Sequence, residues 1–145
     1  MTVPGSRYKT SCVEVPWSGS VSTSSTVTAK KSTFIAYATS LSNNNPQSIY
    51  EFLAHLNSSP HFNIKRASHL IHAYLMVDPI STGSNDGGEH GAGERLENLL
   101  KLRCSGKSAV IVAVVRWYGG VKLGNDRWKC ISKVAKEALD TGGFS

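Results

Sequence analysis

Apolar positions along the chain fall into two periods, and the breaks between them are rich in Gly, Pro, Ser and Asn. Val21 and Val27 share one face at period two within a Ser/Thr-rich stretch, which predicts an edge strand over about 21–29. Lys30-Lys31-Ser32 reads as a turn and 33–38 as a second strand, so a hairpin is expected. Asn45 and Pro46 mark a helix start, since Asn accepts a first-turn N–H and Pro lacks one that would go unpaired. Ile49, Phe52, Leu53 and Leu56 then follow at i, i+3, i+4 and i+7, one buried stripe closed by Ser59 and Pro60. Residues 66–77 alternate: His69, Ile71, Ala73 and Leu75 on one face, Leu70, His72, Tyr74 and Met76 on the other.

Residues 78–93 lack a period and read as a loop, long enough to be either functional or disordered. A helix is expected from about Gly91 with Leu96, Leu99 and Leu100 inward. The β-branched run 109–115 predicts a central strand covered on both faces. A Gly-rich turn, 118–124, leads to a last helix with Asn125 as cap. Its stripe is Trp128, Ile131, Val134 or Ala135, and Ala138, with Lys129, Lys133 and Lys136 toward water, and Gly142-Gly143 stops it. The order β-β-α-β-α-β-α predicts a single α+β domain, a sheet with helices packed on one face. Residues 1–29 are expected to be a lead-in, partly strand or flexible, and 30–145 the folded domain.

Length and composition narrow the class. At 145 residues the chain has room for one domain and a core that needs no disulfide or metal staple. Cys12, Cys104 and Cys130 form no CxxC pair, the pattern of reduced thiols, and a cytoplasmic location is expected. No apolar run reaches membrane-span length, and Pro4, Gly5, Arg7 and Lys9 occupy the place of a signal peptide's apolar core. No membrane partner is therefore expected. The net charge of +6 is uneven: through Leu100 acids and bases balance, and beyond it the bases face only Asp126, Glu137 and Asp140. Such asymmetry favours polyanionic partners, or else marks a solvated basic helix face.

Two Gly-containing loops, 86–93 and 119–124, each run into a helix, where free N–H groups and close backbone approach favour anions. Lys122 lies in the second and Arg95 just after the first; the alternative is that these glycines serve only tight turns. The span Gly119 to Gly124 fits the start of a phosphate-gripping nucleotidase loop, but Asn125 and Asp126 stand where Lys and Ser or Thr are required. No dinucleotide fingerprint follows a strand, so no cofactor is expected. No metal is expected either, because His69 and His72 point to opposite strand faces and His55, His61 and His90 show no ligand spacing. Asp86, Glu89, His69 and Arg116 would make a hydrolytic cluster if the first loop folded over the sheet, yet no nucleophile signature accompanies them. The other use for Asp86 and Glu89 is to accept backbone N–H groups at the next helix. Arg116, Trp117, Tyr118, Arg127 and Trp128 interleave bases with aromatics, as single-stranded nucleic acid requires, while Trp117 and Trp128 also fit as core anchors.

Four blocks together resemble the IMPACT family, the ancient domain shared by eukaryotic IMPACT and bacterial YigZ-type proteins. They are 31–36 (KSTFIA), 66–69 (RASH), 86–96 with Asp86-Gly87-Gly88-Glu89 and Arg95, and above all 116–127 (RWYGGVKLGNDR). The resemblance spans about 30–139 and is nearer the eukaryotic branch. It implies a fold similar to the second domain of a small-subunit ribosomal protein, no established reaction, and a stand-alone form without the N-terminal domain by which full IMPACT proteins contact the co-activator of the starvation-responsive kinase. Two positions depart from the pattern: Gly87 stands where the family has a second acid, and Glu94 where it has a small residue.

The expected function is thus a non-enzymatic domain in translational control and stress response, binding RNA, the ribosome or a translation-linked partner. The expected surface joins Arg116, Gly119, Gly120, Lys122, Arg127 and Lys129, with Arg66, His69 and Arg95 nearby and the loop of Asp86, Gly88 and Glu89 beside it. The alternatives are a protein-interaction module for the kinase pathway or actin, and an enzyme on a phosphorylated substrate with His69, Glu89, Arg95 and Lys122 in one pocket.

Overall fold

The computed structural model describes residues 14–42, 45–62, 64, 66–104, 106 and 108–144. Its elements run β1 (Ser22–Thr23), β2 (Val27–Ala29), β3 (Ser32–Ser40), α1 (Gln47–Ser58), β4 (His69–Met76), β5 (Ser81–Asn85), α2 (Ala92–Arg103), β6 (Val110–Trp117) and α3 (Asp126–Thr141). The strands form one antiparallel sheet in the order β1-β3-β6-β4-β5, with β2 also on β3, and the class is α+β as the element order implied. The β-branched run became the central strand β6, hydrogen-bonded on both sides. Cys12 and the first lysine and arginine of the chain lie outside the described residues.

Three expectations are corrected. The helices do not share one face. Val110, Val112 and Val114 of β6 pack against Leu96 and Leu100 of α2 and Ile131 and Val134 of α3. Ile111, Ala113 and Val115 pack with Ile49, Phe52 and Leu56 of α1, and with Ile64, on the opposite side. A strand apolar at successive positions needs cover on both faces, which helices on one face would not supply.

The stretch 78–93 is not wholly loop, because Ser81–Asn85 pairs with β4 as an edge strand. Nothing apolar alternates there. Instead Thr82 and Ser84 donate to the Glu97 carboxylate of α2 at 2.7 and 2.9 Å, and Gly83 leaves space for the Tyr74 ring. The third correction concerns 21–29, which is split. Thr23 lies opposite Tyr37 but Val27 opposite Phe34, so one extra residue is bulged out. Ser24 fills the break by accepting the Ala36 N–H with its hydroxyl at 2.9 Å.

Candidate functional site

At one end of the sheet, Phe34, Arg116 and His69 stand side by side on β3, β6 and β4. All three point to the face that α2 and α3 cover, because they share parity with the buried positions of that core. Arg116 follows Val115 at the end of an apolar strand and is 4 % exposed. A guanidinium that deeply placed requires an anionic partner.

The partner comes from the loop between β5 and α2. Asp86 accepts the N–H groups of Gly93 at 2.8 Å and Gly91 at 3.2 Å, and so caps α2. These bonds, Gly93's first, hold its carboxyl below the usual range. Gly87 has φ +56°, and a Cβ there would collide with the Leu70 carbonyl. With glycine the loop lies directly on the start of β4, and Glu89 is turned inward to 3 % exposure.

Glu89 is the hub. Arg116 Nη1 donates to its Oε1 at 2.7 Å and Arg127 Nη1 to its Oε2 at 3.0 Å. His69 Nε2 lies 3.6 Å from Oε1. His69 Nδ1 is 3.0 Å from the Gly87 carbonyl, which only accepts, so that nitrogen carries a proton. Arg116 Nη2 also donates to the buried Ser32 hydroxyl at 3.2 Å, and its guanidinium lies over the rings of Phe34 and Tyr118. One buried carboxylate therefore faces two guanidiniums, and positive charge is left over.

That excess borders a cleft of about 490 Å³ lined by His69, Glu89, Arg116, Tyr118, Lys122 and Arg127, with Gly88, His90 and Leu123 to Asn125 completing the wall. Of the expected residues, His69, Gly88, Glu89, Arg116, Lys122 and Arg127 thus come together. Arg95 does not line the cleft; its guanidinium sits over Trp128, as does that of Arg127, at 4.3 and 4.4 Å from the ring centroid. Lys129 pairs with Asp126 at 3.9 Å and lines a separate groove on α3, since positions two apart on a helix face different ways. Exposed Arg66 lies just ahead of β4, outside the cleft lining. Gly119 packs on the backbone of Lys31, and Gly120, φ +92°, is in open space. The cluster sought for an enzyme on a phosphorylated substrate is met in His69, Glu89 and Lys122 but not Arg95. The hydrolytic cluster is met in Glu89, His69 and Arg116, while Asp86 is engaged as a cap.

Tyr118, marked by sequence as part of a basic–aromatic set, lines the cleft, whereas Ser32, His90 and the hairpin of Lys30 and Lys31 were not marked as site residues by sequence. Both lysines hold positive φ, 44° and 69°, a strained two-residue turn at the sheet end that carries Arg116. That strain was the available signal, but it shows only in the backbone. Among the described residues no group of His, Cys, Asp and Glu is arranged to hold a metal, and no helix is long and apolar enough to cross a membrane.

Comparison with known proteins gives a consistent set. The family profile described as the Impact N-terminal domain matches residues 30–139. The chain is 34 % identical over 116 residues to the protein IMPACT homolog of Schizosaccharomyces pombe, covering 78 % of this chain and 39 % of that protein. An IMPACT family member of Saccharomyces cerevisiae is 48 % identical over 72 residues, 48 % of this chain and 41 % of that protein. Among solved structures, the two-domain translational regulator Yih1 superposes with a TM-score of 0.56 at 28 % identity, over 97 % of this chain and 54 % of that one. A crystal structure of a hypothetical protein superposes with a TM-score of 0.68 at 25 % identity, over 83 % and 57 %. The chain spans less than half the length of these two curated relatives.

Proposed function

Because the chain belongs to the IMPACT family, matching its Impact N-terminal domain over 30–139, we propose that it acts in translational control as a non-enzymatic domain that docks on phosphate-bearing RNA, free or ribosomal. The translational regulator Yih1 among its structural neighbours supports the first half of this reading. The second half is carried by one observation: Arg116 and Arg127 share the single buried carboxylate of Glu89, and Lys122 adds a further cation to the same cleft. A site with that imbalance attracts anions, and the aromatic face of Tyr118 at its rim suits an unpaired base.

Fluorescence anisotropy of the full chain with a labelled single-stranded RNA tests it. With about three phosphates neutralised, at ~0.7 per contact, affinity should fall about 20-fold between roughly 50 and 200 mM salt. Absence of binding at the lower salt would overturn the RNA reading.

A second reading has its own observation. Lys129, Lys133 and Lys136 line a groove of about 680 Å³ along α3 with Trp128; its two acids, Glu137 and Asp140, are engaged by Ser25 and Arg103, so the lysines leave the surface fit for an acidic segment of a translation-linked or cytoskeletal protein. Pull-down from nuclease-treated lysate, with and without Lys133→Glu, separates the two, since RNA-bridged partners are lost on digestion.

A further inference from the structure

Resting on the RNA reading above, we propose that the cleft between the two glycine loops takes a terminal phosphate, the phosphomonoester dianion at the end of an RNA strand. The charge arithmetic points there. Arg116, Arg127 and Lys122 bring three positive charges to the cleft and Glu89 one negative, so two remain uncompensated. Lys122 makes no ion pair among the described residues. A backbone phosphodiester supplies one negative charge, whereas a monoester supplies about 1.5 to 2 at neutral pH.

Donors also exceed acceptors. The Nε atoms of Arg116 and Arg127, like that of Arg103 outside the cleft, are buried and have no acceptor among the described residues. A terminal phosphate carries three free oxygens where an internal one offers two, and arginine is the side chain suited to them. The shape agrees with a chain end. Arg116 and Glu89, both almost fully buried, form the floor, and the walls come from Gly88 to His90 and from Lys122 to Asn125. Asn125 leads into the 16-residue α3, whose positive end therefore abuts the cleft. Tyr118, 45 % exposed, stands at the rim, where the first base of an entering strand would stack.

The experiment is calorimetric titration of the full chain with one unlabelled oligoribonucleotide in three forms: 5′-phosphorylated, 3′-phosphorylated, and hydroxyl at both ends. One phosphorylated form is expected to bind about tenfold or more tighter than the hydroxyl form, as charged hydrogen bonds of this kind allow. Lys122→Gln and Arg127→Gln should each remove that preference, with thermal melts showing that both variants fold. Equal binding of all three forms overturns the strand-end assignment and leaves internal-phosphate docking intact. A preference that persists in both variants overturns its placement in this cleft. A nucleoside monophosphate that binds as tightly as the phosphorylated strand assigns the cleft to a free small ligand instead. Failure of every form to bind at low salt removes the RNA reading itself.

Discussion

Arg116 and His69 are direct cross-strand partners on β6 and β4, and both turn to one carboxylate, that of Glu89. The β5–α2 loop is therefore fastened to the end of the sheet by charge. Glu89→Gln should destabilise the fold by about 3 kcal/mol, because the buried guanidinium of Arg116 loses its counter-charge. Urea unfolding read by tryptophan fluorescence checks this. An unchanged midpoint would mean that Arg116 finds water when the carboxylate is neutralised.

Gly119 meets the hairpin at the Lys31 carbonyl, where an added Cβ has no space. Gly119→Ala should cost about 2 kcal/mol or more through overpacking. Gly120→Ala, with nothing near it but φ +92°, should cost about 1 kcal/mol through backbone strain alone. Thermal denaturation of the pair orders the two effects, and equal losses would contradict the close approach.

Stability should fall in acid in two steps. His72 lies on the α1 face, and burial lowers its pKa below 6.5. Its neutral form is thus favoured on folding, and stability drops as pH falls below 6.5, where the unfolded chain takes up the proton first. His72→Gln should flatten the limb that sets in as pH falls below 6.5. Asp86, held down by the Gly93 and Gly91 amides, and Glu97, held down chiefly by Thr82 and then Ser84, contribute stability present above the ordinary carboxylate range. That contribution is lost as pH falls through their lowered values. Chemical denaturation at a series of pH values resolves the two limbs.

β5 depends on hydroxyls where other strands depend on apolar side chains. Thr82→Val should cost about 1 kcal/mol, since Glu97 loses a hydrogen bond at 2.7 Å with little change of volume. Hydrogen exchange of the Ser81 to Asn85 amides should rise with it. Unaltered exchange would show that backbone pairing alone holds the strand.

The helices were legible because each carries a stripe: Ile49, Phe52 and Leu56 in α1, Leu96 and Leu100 in α2, Ile131, Val134 and Ala138 in α3. β5 was not, since Ser-Thr-Gly-Ser-Asn has neither alternation nor β-branched bulk beyond Thr82. The double cover of the sheet was already implied by the unbroken apolar run of β6, which conflicts with helices on one face only. At the site, the sequence marked the charged residues of the two loops but not which of them meet. Arg116 and Glu89 are 27 positions apart, and no periodicity links them. The readable clue was an arginine placed at inward parity directly after Val115.

The family profile begins at residue 30, yet β1 and β2 precede it and close the sheet edge on β3. Ser25, in the break between them, gives both its N–H and its hydroxyl to Glu137 on α3, at 2.9 and 2.7 Å. Upstream, the Trp17 ring packs on Phe52 of α1. The homology boundary and the folding boundary are therefore different places. Trimming the chain to its recognisable segment would strip the seam that joins the first strands to the last helix and leave β3 with an unpaired margin open to self-association.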